Sequence, residues 1–381
     1  MYLPRAFYFL YYAATASLSP FLPLHYQSLG LSGSQIGVLA SIPPFLVLFG
    51  ASAWGVLADA TQRHRGVLCL AIVGAAAGAL LLAAAPTFGW LVLAVLTFAA
   101  FMAPIVPLVD NSVVAQLGAE RERYGRIRLW GALGWGACAP LAGRLVERGG
   151  LQWSFRAFVV LMLGCLLVGA RLRVVAVPLA GPLRSGLRAL LADRRWRLFL
   201  FLAFAGGVGM GFVHNFLFLY MDGIGASRTT MGLALSVATV SELVVFSQAH
   251  RWLARWGVHR VLAFAMLATA VRLLAYAALP HPGWVLLVQL LHGPTFALAW
   301  TAGVAGASRL APPGLGATAQ GLFTGVNFGL GGAAGAMVGG VLYQEVGAQA
   351  MYSLASAAVF SAVAVYLVLS RGGRGLELGQ G

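Results

Sequence analysis

The chain has 381 residues, of which 60% are hydrophobic and 9% charged, where a soluble domain carries roughly a quarter charged residues. Its net charge of +15 comes from arginine alone, since lysine is absent. That composition excludes a single water-soluble core, a Walker-type phosphate loop and a Schiff-base lysine. The arginines fall in alternate connections rather than along one stripe, which argues against nucleic-acid binding.

Twelve apolar runs follow in chain order, at residues 5–28, 34–58, 66–85, 88–116, 126–147, 153–172, 198–221, 228–249, 258–279, 283–308, 316–343 and 348–370. Such runs suffice to cross about 30 Å of hydrocarbon as helices. They are too long and unbroken for barrel strands. The first run contains Pro20 and Pro23 and lacks a small-residue cleavage site followed by a soluble domain, so it reads as a retained helix. Cys69, Cys138 and Cys165 lie singly in apolar runs. Their spacing offers neither a metal site nor a disulfide framework.

One set of connections holds Arg5, Arg63, Arg65, Arg121, Arg123, Arg126, the arginines from Arg171 through Arg197, Arg251, Arg255, Arg260, Arg309, Arg371 and Arg374. The opposite set holds only Arg144, Arg148, Arg156 and Arg228. The arginine-rich side is expected to be cytoplasmic, with both termini inside, in a multi-pass protein of the cell membrane. The longest polar connection, Val174 to Arg197, carries Pro178, Pro182 and five arginines. It divides the chain into an N-terminal six-helix bundle (1–173), a cytoplasmic connection (174–197), a C-terminal six-helix bundle (198–370) and a tail (371–381).

The two halves are related. Adding 195 to each number in "FLPLHYQSLGLSGSQIGVLAS", Phe21 to Ser41, gives "FLFLYMDGIGASRTTMGLALS", Phe216 to Ser236, with seven of 21 positions identical. Gly30/Gly225, Ser32/Ser227, Gly37/Gly232 and Ser41/Ser236 are among them. With six helices per half, the copies run in the same direction, a parallel duplication of the kind found in alternating-access transporters. The expected fold class is an all-α integral membrane protein, twelve transmembrane helices in two six-helix parallel-repeat halves.

Ionisable groups inside spans are costly and suggest function. Arg272 in the ninth span lies near the midplane, and Glu242 in the eighth is expected to pair with it. In "VQLLHGPTF" of the tenth span, Gln289, His292 and Thr295 share roughly one face. An unperturbed histidine titrates near neutrality, which suits proton coupling. In the fourth span Asp110 stands in "PIVPLVDNSVVAQ", and Arg128 opens the apolar run of the fifth in "YGRIRLWGALGWG". The antiparallel spans bring the two level. Arg128, Gly131 or Ala132, and Trp135 form a stripe whose indole offers a flat apolar plate. In the eleventh span Gln320, Thr324 and Asn327 lie on one side, and glycines recur at four-residue steps that suit close packing. Tyr8, Tyr12, Thr15, His25, His214 and Asn215 are lesser cavity candidates.

The connection "GVLADATQRHR", with Gly55, Asp59, Arg63 and Arg65, resembles the loop signature of the major facilitator superfamily. There the glycine permits close helix contact and the charges latch one conformational state. The chain further resembles two proton-symporter groups of that superfamily, the oligosaccharide symporters of the lactose permease type and the phenylpropionate permeases. "PLVD", "YGRIRLWGALGW", "SEL", "AVRLL" and "LHGPTF" follow their order and approximate spacing over nearly the whole chain.

The resemblance implies substrate contacts at Asp110, Arg128, Trp135 and His292, beside the sequence candidates Gln289 and Asn327. It implies proton coupling through Glu242, Arg272, His292 and Asp110. Thr295 stands where the sugar permeases carry a proton-bearing glutamate, and the phenylpropionate pattern has threonine there. The resulting expectation is proton-coupled uptake of a small organic substrate, an aromatic carboxylate first, with sugar, nucleoside or drug transport as alternatives. No enzymatic activity, resident cofactor, metal or nucleic-acid partner is expected. The proton gradient supplies the energy, lipid is the surroundings, and the functional unit is a monomer.

Overall fold

The computed structural model describes residues 1–172, 174, 190, 192–312 and 315–371, except the side chains at 51, 52, 59, 119, 121, 317 and 371. The side chains of Asp59, Arg121 and Arg371, most of the 174–197 connection and the tail from residue 372 therefore lie outside the described residues. Among the described residues all regular structure is helical, in twelve rods.

Helix α1 (residues 2–28) runs as Tyr2–Leu18, a 3-10 turn Ser19–Phe21, and Leu22–Ser28. The tighter turn falls where Pro20 and Pro23 remove backbone donors. Helices α2 (Gly33–Thr61) and α3 (His64–Ala84) follow, then α4 (88–117), which breaks at Ala103–Pro104. Helices α5 (Tyr124–Gly149), α6 (Gln152–Gly169) and α7 (Arg194–Gly223) come next. The stretch Arg228–Ala278 comprises α8 (228–256) and α9 (258–278), turned at Gly257 with φ 74° and ψ 163°. Helix α10 spans 282–310. The last stretch turns in the same way at Gly347, φ 78° and ψ 170°, between α11 (316–346) and α12 (348–371). These angles belong to a region that is essentially glycine's, so a single residue replaces a loop.

Among the described residues eight helical stretches are long and apolar enough to cross a membrane, and two of them hold the α8–α9 and α11–α12 pairs. The remaining rods, α1 and α5, carry the tyrosines and the arginine of the first polar cluster described below.

The duplication is visible in the backbone. Adding 195 carries Gly30 to Gly225, both at positive φ (78° and 80°), and Gln62 to Gly257, also both at positive φ (53° and 74°). One close approach recurs as well. A Cβ on Gly134 of α5 would stand 2.2 Å from the Phe9 carbonyl oxygen of α1. A Cβ on Gly331 of α11 would stand 2.8 Å from the Phe204 carbonyl oxygen of α7. Adding 195 carries Phe9 to Phe204. Contact this tight is possible only where the side chain is a hydrogen atom, the general device by which membrane helices approach closely.

The chain packs as two compact units, Met1–Leu179 with Asn215–Thr239, and Ala180–His214 with Val240–Gly381. Residues 215–239, which the sequence places in the C-terminal bundle, join the first unit through α5. The Cβ positions of Gly143 and Gly232 fall 2.3 Å from the carbonyl oxygens of Arg228 and Ala139. The Ser236 hydroxyl donates to the Gly136 carbonyl at 2.6 Å. Glu147 accepts from the Thr229 N–H at 2.9 Å, at the start of α8.

The glycine expectations divide. In α11, Gly331 and Gly335 press on the α7 backbone, whereas Gly321 faces open space. Gly55, expected to permit close helix contact, also has nothing within 4 Å of an added Cβ. Helix contact therefore does not demand a glycine there in this conformation.

Candidate functional site

The first unit holds a polar cluster on three helices. Tyr8 and Tyr12 lie one turn apart on α1 and so share a face. Asp110 comes from α4 and Arg128 from the first turns of α5. The Tyr8 hydroxyl donates to Asp110 Oδ1 at 2.5 Å, and Arg128 Nη2 donates to the Tyr12 hydroxyl. Arg128 Nε lies 3.8 Å from Asp110 Oδ1, so the expected pairing is present. The guanidinium carbon is 5.2 Å and 4.4 Å from the ring centroids of Tyr8 and Tyr12, within the reach of cation–π attraction.

Both charged side chains keep about a third of their surface, 32% for Arg128 and 28% for Asp110. The cluster therefore keeps part of its donors and acceptors accessible rather than fully buried. Gly131 makes room for it, since a Cβ there would lie 2.6 Å from the Tyr12 ring. Trp135, half-buried, follows one turn deeper along α5. Of the lesser candidates on α1, Thr15 bonds back to the Tyr11 and Tyr12 carbonyls, and buried His25 meets Phe155 edge-on at 4.8 Å.

The second unit holds a network centred on Arg272 of α9, which is 2% exposed. Its Nε donates to the Tyr276 hydroxyl at 3.0 Å, and Nη2 donates to Gln289 Oε1 at 2.5 Å. Its Nη1 reaches His292 Nδ1 at 3.0 Å and the Thr295 hydroxyl at 3.1 Å. The polar stripe of α10 is thus gathered on one guanidinium. A π-helical segment, Gly293–Ala297, begins directly after His292. It widens the turn that sets His292 and Thr295 against Arg272; such bulges recur at functional positions. Gly293 seats this turn against α8, its N–H donating to the Ser241 hydroxyl at 3.1 Å.

The direct Arg272–Glu242 pair expected from sequence is replaced by a chain of three groups. Among the described residues Arg272 forms no ion pair with Glu242; His292 stands between them, its Nε2 3.6 Å from Glu242 Oε2. A guanidinium only donates, so His292 Nδ1 must accept and the ring proton sits on Nε2, facing the carboxylate. His292 thus bridges Arg272 and Glu242. Gln289 is 1% exposed and receives both Arg272 and Tyr276 on its oxygen, the latter at 3.0 Å. Its Nε2 donor is buried without a partner among the described residues. Unmet donors of this kind are costly.

Asn327 stands in a second π-helical segment, Gly325–Gly331, and its amide donates to the Ala203 carbonyl at 2.8 Å. That donor serves the α7–α11 contact. Of the loop signature, Arg63 and Arg65 are exposed at the start of α3. Tyr8, Tyr12 and Tyr276 are partners that sequence reasoning ranked low or passed over. A tyrosine in an apolar run reads as packing or as a membrane-interface residue until its neighbours are known. The i, i+4 spacing of Tyr8 and Tyr12, and of Arg272 and Tyr276, was the available signal.

Comparison with known proteins agrees with this architecture. The model of the MFS_1 like family matches residues 4–354. A maltose permease of Geobacillus stearothermophilus is 32% identical over 367 residues, covering 96% of this chain and 93% of the permease. A probable 3-phenylpropionic acid transporter of Escherichia coli (strain K12) is 24% identical over 300 residues, covering 76% of this chain and 77% of that protein. The crystal structure of the nucleoside transporter NupG superposes with a TM-score of 0.83 at 18% identity, covering 97% of this chain and 98% of that one, a likeness of fold. The chain belongs to the MFS_1-like family, within the major facilitator superfamily of membrane transporters.

Proposed function

We propose that the protein is a proton-coupled symporter of a neutral, hydroxyl-rich solute of the sugar class, working by alternating access with both termini cytoplasmic. The observation that carries this reading is charge balance. Arg128 already faces Asp110, and Arg272 is buried in a network that ends on Glu242. A carboxylate substrate needs a guanidinium free to make a bidentate pair, and neither arginine is free in that sense. A polyol needs alternating donors and acceptors beside an apolar plate, and the Asp110, Arg128, tyrosine and Trp135 arrangement offers them. The maltose permease relative, similar along nearly its whole length, supports the same class.

The aromatic-carboxylate reading stays as the second, favoured by Thr295 in "LHGPTF" and by the phenylpropionic acid transporter relative. Thermal unfolding of the purified chain separates the two. Maltose or a related glycoside is expected to raise the melting temperature, while 3-phenylpropionate leaves it unchanged. A rise with 3-phenylpropionate alone would overturn the sugar reading.

In the proposed coupling, Glu242 holds the transported proton. His292, fixed as an acceptor toward Arg272, turns its Nε2–H toward Glu242, and the contact is strongest while that carboxylate is charged. Protonation of Glu242 reduces this charge-assisted contact to a weaker neutral one, while the Ser241 contacts still hold α8 to α10. Substrate contacts at Asp110, Arg128, Trp135 and Gln289, whose unmet Nε2–H suits a hydroxyl or ether oxygen, complete the assignment.

A further inference from the structure

The duplication extends to the end of the second span of each half. Adding 195 carries His64 and Arg65 to His259 and Arg260, and Arg171 at the end of α6 to Tyr366 in α12. Each unit has a pocket at this place, and the two have diverged. In the second unit the Tyr366 hydroxyl meets His259 Nδ1 at 2.8 Å, with ring centroids 4.9 Å apart. The two rings form part of the wall of that pocket, which is otherwise lined largely by apolar side chains such as Leu198, Phe199 and Leu262.

In the first unit none of the described residues lining the corresponding space carries an aromatic ring of the Tyr366 kind. The pocket is lined by Gln62, Arg63, His64, Arg65 and Arg171, and none of the described residues lining it is acidic. His64 forms a buried base at 8% exposure, while the three arginines are exposed around it. Arg171 is anchored by a bond from Nη1 to the Leu167 carbonyl at 2.8 Å, which among the described residues leaves the rest of its fork for another acceptor. The left-handed turn at Gln62, φ 53°, folds the chain so that Arg63 and Arg65 flank the opening. The concavity and the convergence of planar forks suit an oxyanion with several acceptor atoms, above all a phosphate. On the topology expected from the arginines, the start of α3 and the end of α6 lie at the cytoplasmic membrane face, where basic pockets between helices recognise anionic headgroups.

We infer that the Arg63–Arg65–Arg171 pocket is a binding site for a phosphate anion, supplied by the headgroup of an anionic phospholipid. Tyr366 has closed the equivalent site in the second unit. The assignment is independent of the transported substrate.

The test uses the full chain purified in detergent. It measures the affinity of dioctanoyl phosphatidylglycerol, dioctanoyl phosphatidylcholine and inorganic phosphate by the melting shift at increasing ligand. Phosphatidylglycerol is expected to bind and phosphatidylcholine not. The pair Arg63→Gln with Arg171→Gln should weaken binding about thirtyfold, the loss of two surface arginine contacts. Arg260→Gln, at the closed twin, should leave binding intact and so controls for net charge. Binding of inorganic phosphate that is lost in the same double variant would keep the phosphate site and assign its source to solution. Three results would each overturn the proposal: equal binding of phosphatidylglycerol by parent and double variant, equal loss in Arg260→Gln, or no response to either anionic probe. All three exchanged arginines are exposed, and a circular dichroism spectrum like the parent's confirms that the variants fold.

Discussion

Glu242→Gln is expected to abolish uphill accumulation of substrate while leaving exchange of substrate across the membrane. The replacement keeps the shape of the side chain, and a glutamine oxygen still accepts from His292 Nε2–H, so the α8–α10 contact survives. What disappears is the only group of the Arg272–His292–Glu242 chain able to gain and lose a proton without breaking the Arg272 network. Protonating His292 instead would require its Nδ1 to give up the 3.0 Å bond from Arg272. It would also set two cations side by side in a low-dielectric interior, which is strongly unfavourable. Uptake driven by an imposed proton gradient should then level off at the external concentration, while counterflow of preloaded substrate continues. Undiminished accumulation by Glu242→Gln, with accumulation lost instead in Asp110→Asn, would move the proton to the first cluster.

Arg128→Lys is the second large effect expected. Lysine keeps the charge but replaces a planar fork of five donors with a point charge. Arg128 bonds Tyr12, faces Asp110 and stacks over two tyrosine rings at once, and one ammonium cannot hold all of these positions. Apparent affinity should fall by about ten- to a hundredfold, as for loss of a charged hydrogen bond worth roughly 1.5–3 kcal/mol. Melting in the absence of substrate should change little, because the pair is partly solvated and such pairs add little to stability. Unchanged transport by this variant would make Arg128 a boundary charge at the mouth of α5.

The fold was legible because the bilayer leaves few options. Spans of the right length must be helices, and twelve of them in two related halves define the architecture. The tight turns were less legible. Gly257 and Gly347 join rods with no loop, since a glycine at positive φ looks in sequence like any other helix glycine. The polar stripe Gln289, His292 and Thr295 was readable from its spacing, and so was the pairing of Asp110 with Arg128. The order of charges in the second network was not. Periodicity places Arg272 and Glu242 on neighbouring helices, but it cannot reveal the π-helical turn after His292 that inserts an imidazole between them. Asn327 illustrates the same limit, because an amide beside a cavity and an amide donating to the Ala203 carbonyl have the same sequence pattern. The tyrosines of α1 were undervalued because their worth lies in Arg128, more than a hundred residues away.

The central claim is proton-coupled symport of a neutral sugar-class solute. Proteoliposomes containing the parent chain and an internal pH dye, without any imposed gradient, test it most directly. Adding maltose or a related glycoside outside should acidify the lumen as protons enter with the solute, and Glu242→Gln vesicles should show no such change. Acidification on 3-phenylpropionate with none on any glycoside, measured against protein-free vesicles, would contradict the account.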